Sequence, residues 1–458
     1  MNPREHTSSI VVSALSSFFG VSLIQATGLI TDVVGPMGDG AIQLALVTVA
    51  GVFILLAMYT GAVVTANTFG TIVAGRVRTI ALMRLVGAST RQLRASIGRE
   101  GLVVGAVGSL IGAVLALVTT NGAARYFVST GDLPDIAYRL IDPLVILPVV
   151  AVVVTTWSAS LVGSRKVLSV TPIQATASAG EPDFSENRRR TGRNVIALLL
   201  IASGVVLLVV GVVVGLVSPL GMFIAFFGGV GSFTGIILGA HVVMPLVLKA
   251  VGALFGRGAA GRLAALNALR YPARSTRATI GLVIGVTLVM TFTVAAASYQ
   301  QMILDDTGLD ADQLAEANQV LGVTFGVLSA LIGFSAVIAA VGLVNNLSLG
   351  VLQRTRELGL LRALGFTSRQ VRRMIVAESA QMVIASVGLG LGLGVLYGWA
   401  GAQSLLGSIF GSELVAPSVP WQVVVGIVGG AAVLAVVASL APSRRATSVS
   451  PVRALQTL

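Results

Sequence analysis

Cysteine is absent from the 458 residues. No disulfide, thiolate metal site or cysteine nucleophile therefore exists in this chain. Lysine is almost absent too: Lys166 and Lys249 stand alone beside a large excess of arginine. A phosphate-binding P-loop needs Gly-Lys followed by Ser or Thr. Neither lysine follows a glycine, so the sequence carries no such loop. With His6 and His241 as the only histidines, a His-Glu-x-x-His metal site is excluded. Charge is scarce at 10% of residues, against about 25% in a soluble domain. No Asp or Glu lies deep in any apolar run. That argues against a proton-driven secondary transporter, which relies on carboxylates within the membrane.

What is abundant is apolar surface, at 55% of residues. Ten apolar runs lie at about 8–31, 41–69, 100–120, 143–163, 194–217, 221–248, 278–299, 319–349, 378–400 and 421–441. Most are long enough to cross a bilayer as a helix. The predicted fold is therefore an all-α integral membrane protein. The fifth and sixth runs meet at Ser218-Pro219-Leu220, a predicted tight hairpin. Glycine is frequent within the runs, and small residues let membrane helices approach closely. The first run is too long for a signal peptide and lacks a clear small-residue cleavage site, so it is expected to remain as a helix. The outer links are short. The longest, about 121–142, 300–318 and 401–420, are too small to form a domain.

The formal net charge of +12 invites a nucleic-acid reading, but its distribution does not support one. With the N-terminus inside and the chain alternating, 28 of the 30 basic residues fall on the inner side. Only Arg125 and Arg139 fall outside, while the run Asp305, Asp306, Asp310, Asp312 and Glu316 lies there. This is the positive-inside bias of a membrane protein. It predicts cytoplasmic N- and C-termini and contact with anionic lipid, with no nucleic-acid partner.

A basic element occurs twice. RTIALMRLVGASTRQLRA begins at Arg78, and RELGLLRALGFTSRQVRR begins at Arg356. Arg76, Arg78, Leu82, Arg84 and Gly87 match Arg354, Arg356, Leu360, Arg362 and Gly365 at a constant offset, and Glu100 then matches Glu378. SRKVLSVTPIQA (164–175) and SRRATSVSPVRA (443–454) are a second related pair. Each half thus reads as two helices, a basic element, two helices and a basic tail. Six runs separate equivalent positions, so both halves share one orientation, with a pseudo-two-fold axis along the membrane normal.

Within the element, Ile80, Leu82, Met83 and Val86 form an apolar stripe at helical spacing, as do Leu358, Leu360, Leu361 and Leu364. Gly87 and Gly365 are placed to end a short helix in the left-handed conformation. Ser89-Thr90-Arg91-Gln92 and Thr367-Ser368-Arg369-Gln370 read as capping boxes that start the next helix. Two readings compete: a helix lying on anionic lipid, and a docking element for a cytoplasmic partner. The repeated turn and cap favour docking, because a helix resting on lipid needs no fixed turn. His241 is expected as a neutral, hydrogen-bonded residue. Gln25, Asn67, Asn345 and Asn346 are candidates for hydrogen bonds between helices. Glu100 and Glu378 are placed to bond arginines of the basic element, or simply to favour a helix start.

QRTRELGLLRALGFTSRQVRRMIVAE (353–378) and LNALRYPARSTRATIGLVIG (266–285) resemble the FtsX-like permease family, the membrane subunits of type VII ABC transporters. In the second stretch Asn267, Arg270, Pro272 and Arg274 carry the likeness. The resemblance implies about ten transmembrane helices, as two parallel four-helix modules plus a central pair. The expected divisions are 1–193, 194–262 and 263–458. It further implies two cytoplasmic ABC ATPase subunits per chain, docked on coupling helices at 76–88 and 354–366. The docking residues would be Arg76, Arg78, Leu82, Met83, Arg84 and Gly87, with Arg354, Arg356, Glu357, Leu360, Leu361, Arg362 and Gly365. Glu100 and Glu378 would transmit the stroke. ATP and Mg²⁺ would be bound by the ATPase, and this chain would hold no cofactor, metal or catalytic residue.

Thr79 stands where the second repeat has Glu357, so the two docking sites differ by one carboxylate. The ten-helix plan resembles the antimicrobial-peptide resistance branch of the family. The short outer links suit a lipophilic or amphipathic substrate drawn from the lipid of a bacterial plasma membrane and exported. The alternative is a mechanotransmission or sensing subunit that relays ATPase cycles to an outer partner without cargo.

Overall fold

The computed structural model describes residues 3–34, 51–52, 55, 59, 62–63, 82–131, 133–134, 136, 138, 141–168, 191–255, 272–305, 364–408 and 414–448. The main helices there are α1 (Pro3–Val34), α2 (Thr90–Thr130), α3 (Ile146–Leu168), α4 (Thr191–Gly215), α5 (Gly221–Leu238), α6 (Ala240–Phe255), α7 (Pro272–Asp305), α8 (Ser368–Leu406) and α9 (Trp421–Ser448). A single 3-10 turn, Pro143–Val145, leads into α3. Six helices among the described residues are long and apolar enough to cross a membrane, and three shorter ones are apolar as well. The chain is a multi-pass, all-α membrane protein. The predicted second and eighth spans lie wholly or largely outside the described residues. Of the second, residues 51–52, 55, 59 and 62–63 are helical.

The packing repeats. α2 packs along α1 and α3, and α8 packs along α7 and α9. Small residues set the distances. A Cβ at Gly112 would strike the α1 backbone at Ala14 and Phe18, and one at Gly398 would lie 2.5 Å from the Thr291 carbonyl of α7. Van der Waals contact drives helix association in lipid, so such close approaches stabilise the pairs. Buried hydroxyls are satisfied within their own helices. Thr156 donates to the Val152 carbonyl (2.6 Å), and Ser386 donates to that of Met382 (2.7 Å). That spares them an unsatisfied polar group in hydrocarbon.

α4 and α5 form the predicted hairpin, closed at Ser218-Pro219-Leu220 by the Gly221 amide donating to the Ser218 carbonyl (3.0 Å). Glycines line its seam. A Cβ at Gly228 would lie 2.5 Å from the Leu208 amide nitrogen, and one at Gly235 2.8 Å from the Ala197 carbonyl. The hairpin packs on α8, where Gly215 abuts the Ser404 backbone.

Two expected boundaries are corrected. α2 runs on to Thr130, so the first ten residues of the expected 121–142 link are helical. The expected sixth span, 221–248, is two helices, because the chain breaks at Gly239. α6 then packs on α7 and α8. Its Met244 and Leu248 join a core with Leu282, Val283, Met382 and Ala385.

Candidate functional site

The first basic element is resolved from Leu82. Residues 82–85 are helical, and the helix ends at Gly87 with φ 103°. The Gly87 amide donates to the Arg84 carbonyl (3.1 Å), and the Ala88 amide donates to the Met83 carbonyl (3.0 Å). These paired bonds close a helix whose following residue is left-handed, a conformation that favours glycine. The Ser89 side chain then accepts from the Gln92 amide (3.3 Å), while the Gln92 side-chain oxygen accepts from the Ser89 amide (3.2 Å). Both predicted halves of this capping box are present. The second element repeats the geometry. Gly365 has φ 98°, Thr367 accepts from the Gln370 amide (3.2 Å), and the Gln370 side chain accepts in return from the Thr367 amide (2.9 Å).

Each turn feeds an unbroken helix. α2 has 41 residues and α8 has 39. At 1.5 Å per residue each is about 60 Å long, roughly twice the ~30 Å hydrocarbon layer. Displacement of either turn therefore acts at one end of a continuous rod that passes through the membrane.

The turns present apolar side chains outward. Leu82, Met83 and Leu85 are about half exposed, Val86 is 91% exposed and Leu364 is 77% exposed. Around them Arg91, Arg99, Arg369, Arg372 and Arg373 are exposed, while Arg84 is half-buried. An apolar patch rimmed by charge marks an interaction surface. Of the predicted docking residues, Leu82, Met83, Arg84, Gly87 and Gly365 lie in these turns. Arg76, Arg78, Arg354, Arg356, Glu357, Leu360, Leu361 and Arg362 lie outside the described residues, as does Thr79.

Glu100 and Glu378 occupy equivalent positions in different surroundings. Glu378 is buried and Glu100 half-exposed. The difference extends along one face. Met374, Gln381 and Ala385 of α8 are buried, whereas their α2 counterparts Ser96, Val103 and Val107 are exposed. α6 accounts for it, because Gln381 donates from Nε2 to the Leu248 carbonyl (2.9 Å). Gln381 Oε1 is buried with no hydrogen-bond partner among the described residues.

His241 stands at the start of α6, where the sequence reading placed it inside a span. It is hydrogen-bonded as expected. Nε2 contacts Asn194 Oδ1 at 2.8 Å, and Nδ1 contacts the Leu238 carbonyl at 3.2 Å. That carbonyl sits at the Gly239 break, so the ring caps the end of α5. Gln25 bonds to a link rather than to a helix: its side-chain oxygen accepts from the Asp142 amide (3.2 Å). On the same outer side of α8, Gln403 accepts from the Val415 amide (3.1 Å), and Trp399 donates to the Val415 carbonyl (2.6 Å). Asn67, Asn345 and Asn346 lie outside the described residues.

Sequence reasoning missed a cluster around α5. Tyr59 bonds Thr234 (2.8 Å), Tyr397 bonds Ser232 (3.0 Å), and the Phe233 ring meets both tyrosines edge to face. Two lone tyrosines in apolar runs gave no signal for it.

The FtsX-like permease C-terminal family matches the chain twice, over residues 51–172 and 329–451. The two matches begin at the same offset that relates the basic elements. Among curated proteins, the chain is 28% identical over 159 residues to the Bacillus subtilis ABC transporter permease YknZ. That alignment covers 35% of this chain and 36% of the relative. It is 28% identical over 147 residues to the macrolide export ATP-binding/permease protein MacB of Bdellovibrio bacteriovorus, covering 31% of this chain and 21% of the relative. It is also 28% identical over 141 residues to the pyoverdine export ATP-binding/permease protein PvdT of Pseudomonas fluorescens, covering 31% and 20%. The chain thus spans about a third or less of the length of these relatives.

Proposed function

Since this chain belongs to the FtsX-like permease family, we propose that it is the membrane subunit of an ATP-driven ABC transporter. It exports a hydrophobic or amphipathic compound taken from the membrane. Two ATP-binding subunits dock beneath the chain, one on residues 76–88 and one on 354–366. They hold ATP and Mg²⁺, and this chain contributes no catalytic group. The chain lies in the bacterial plasma membrane with both termini in the cytoplasm. The division at 1–193, 194–262 and 263–458 follows from the same reading.

The observation that carries the proposal is the twin turn. In both copies a left-handed glycine and a capping box hold an exposed apolar knuckle at the end of a helix of about 40 residues. ATP-driven closure of the docked subunits presses the two knuckles toward each other, and α2 and α8 carry that motion across the bilayer. The arginine bias supports the orientation. The named roles of MacB and PvdT support export of a compound. The roles of Glu100 and Glu378 are to stiffen the joint between knuckle and rod.

Reconstitution with the ATP-binding partner tests the proposal. Met83→Asp and Leu361→Asp are expected to weaken attachment of that subunit and abolish substrate-stimulated hydrolysis, with membrane insertion unchanged. Unaltered, substrate-responsive hydrolysis by both variant complexes contradicts it. ATP turnover in the parent complex without movement of any hydrophobic compound favours relay to an outer partner instead.

A further inference from the structure

The α4–α5 hairpin is bound unequally on its two sides. Toward α8, Gly215 abuts Ser404 and Ser232 meets Tyr397. Its continuation α6 adds the Gln381–Leu248 bond, and Thr276 of α7 donates to the Ala240 carbonyl (3.4 Å). Toward the second span, the described contacts are Gly51 against the Phe223 ring and the Tyr59–Thr234 hydrogen bond. Ser232 and Thr234 are two residues apart, and a helix turns about 100° per residue. Their side chains therefore leave α5 on nearly opposite sides. The Ser232 hydroxyl donates to the Gly229 carbonyl (3.1 Å), so Tyr397 is the donor in the other bond. Phe233 lies between, 6.5 Å from the Tyr59 ring and 6.2 Å from the Tyr397 ring.

We propose that the central hairpin travels as one body with α7–α8, and that the moving seam of the transporter runs between α5 and the second span. The Tyr59–Thr234 hydrogen bond is the latch across that seam. This rests on the permease reading above. It assigns different mechanics to the two docking elements: α8 drives a helix braced by α6 and the hairpin, while α2 drives one whose corresponding face is bare. The Tyr397–Ser232 bond lies inside one body and stays closed through the cycle.

The cysteine-free chain allows a direct test in the full complex. One double variant carries Tyr59→Cys with Thr234→Cys, the other Ser232→Cys with Tyr397→Cys. Each is bridged with a short bis-methanethiosulfonate reagent, and ATP turnover is measured before and after reduction. Bridging the first pair is expected to slow turnover at least about 10-fold, reversibly. Bridging the second is expected to change it less than about 2-fold. Equal inhibition by both bridges, or none by the first, overturns the seam. Tyr59→Phe, which keeps the ring, is expected to raise basal turnover about 3-fold, the scale of one membrane hydrogen bond. Unchanged turnover removes the latch. A parent complex without ATP turnover refutes the permease reading itself, and the seam with it. Active turnover in the parent with the wrong bridging pattern refutes the seam alone.

Discussion

Replacing Gly87 and Gly365 by alanine isolates the turn geometry from every other contact. Both glycines have φ near 100°, and a Cβ built on either meets nothing within 4 Å. The substitution therefore introduces no clash and removes no side chain. Its whole effect is backbone strain, about 1–2 kcal/mol for an L-residue held at positive φ. If the ATP-binding subunit recognises the knuckle as seen here, the complex must bear that strain, while the separated chain relaxes. Each alanine then weakens attachment about 5- to 30-fold. The two turns share no partner, so the double variant is expected to lose about two orders of magnitude. The assay is a titration of the purified partner onto the chain in lipid nanodiscs. Asparagine tolerates positive φ better than alanine, so Gly87→Asn should recover part of the loss. Gly122→Ala is the control, since it also meets open space but sits within α2. Wild-type affinity in the double alanine variant would refute the role given to the turn.

Ser89→Ala and Thr367→Ala remove the capping boxes, and each is expected to destabilise its helix start by about 1 kcal/mol, read as faster amide exchange over the first turn of α2 or α8. Gly228→Leu forces a side chain into the Leu208 backbone; overpacking of this kind costs ~1–3 kcal/mol or more, so the thermal midpoint in detergent should fall, whereas Gly229→Leu, which faces open space, should leave it nearly unchanged. Single cysteines at Val86 and Pro417 report orientation: a membrane-impermeant maleimide applied to intact cells should label position 417 and spare position 86, and the reverse pattern would invert the topology.

The residues that announce the fold are those whose physics is local. Apolar runs longer than any core strand or helix requires located α1 to α5 and α7 to α9 to within a few residues at most ends. The Gly-x-Ser-x-x-Gln and Gly-x-Thr-x-x-Gln spacings, Gly87 to Gln92 and Gly365 to Gln370, fixed the turns and caps. Neither feature depends on what lies opposite. The break at Gly239 was hidden because apolar character continues through Ala240–Phe255, although Pro245 and Lys249 mark α6 as different from a plain span. The burial of Glu378 beside the half-exposed Glu100 was illegible for a stronger reason. The two glutamates sit in matching sequence, and only the packing of α6 on α8 separates them. The same holds for Tyr59, Phe233 and Tyr397, which meet across helices far apart in the chain.

The most direct test of the account is photo-crosslinking from the knuckles. Benzoylphenylalanine placed at Val86, and separately at Leu364, should couple covalently to the ATP-binding subunit in the intact, nucleotide-hydrolysing complex. Crosslinks from both positions to lipid alone, with that subunit still attached and active, would contradict it.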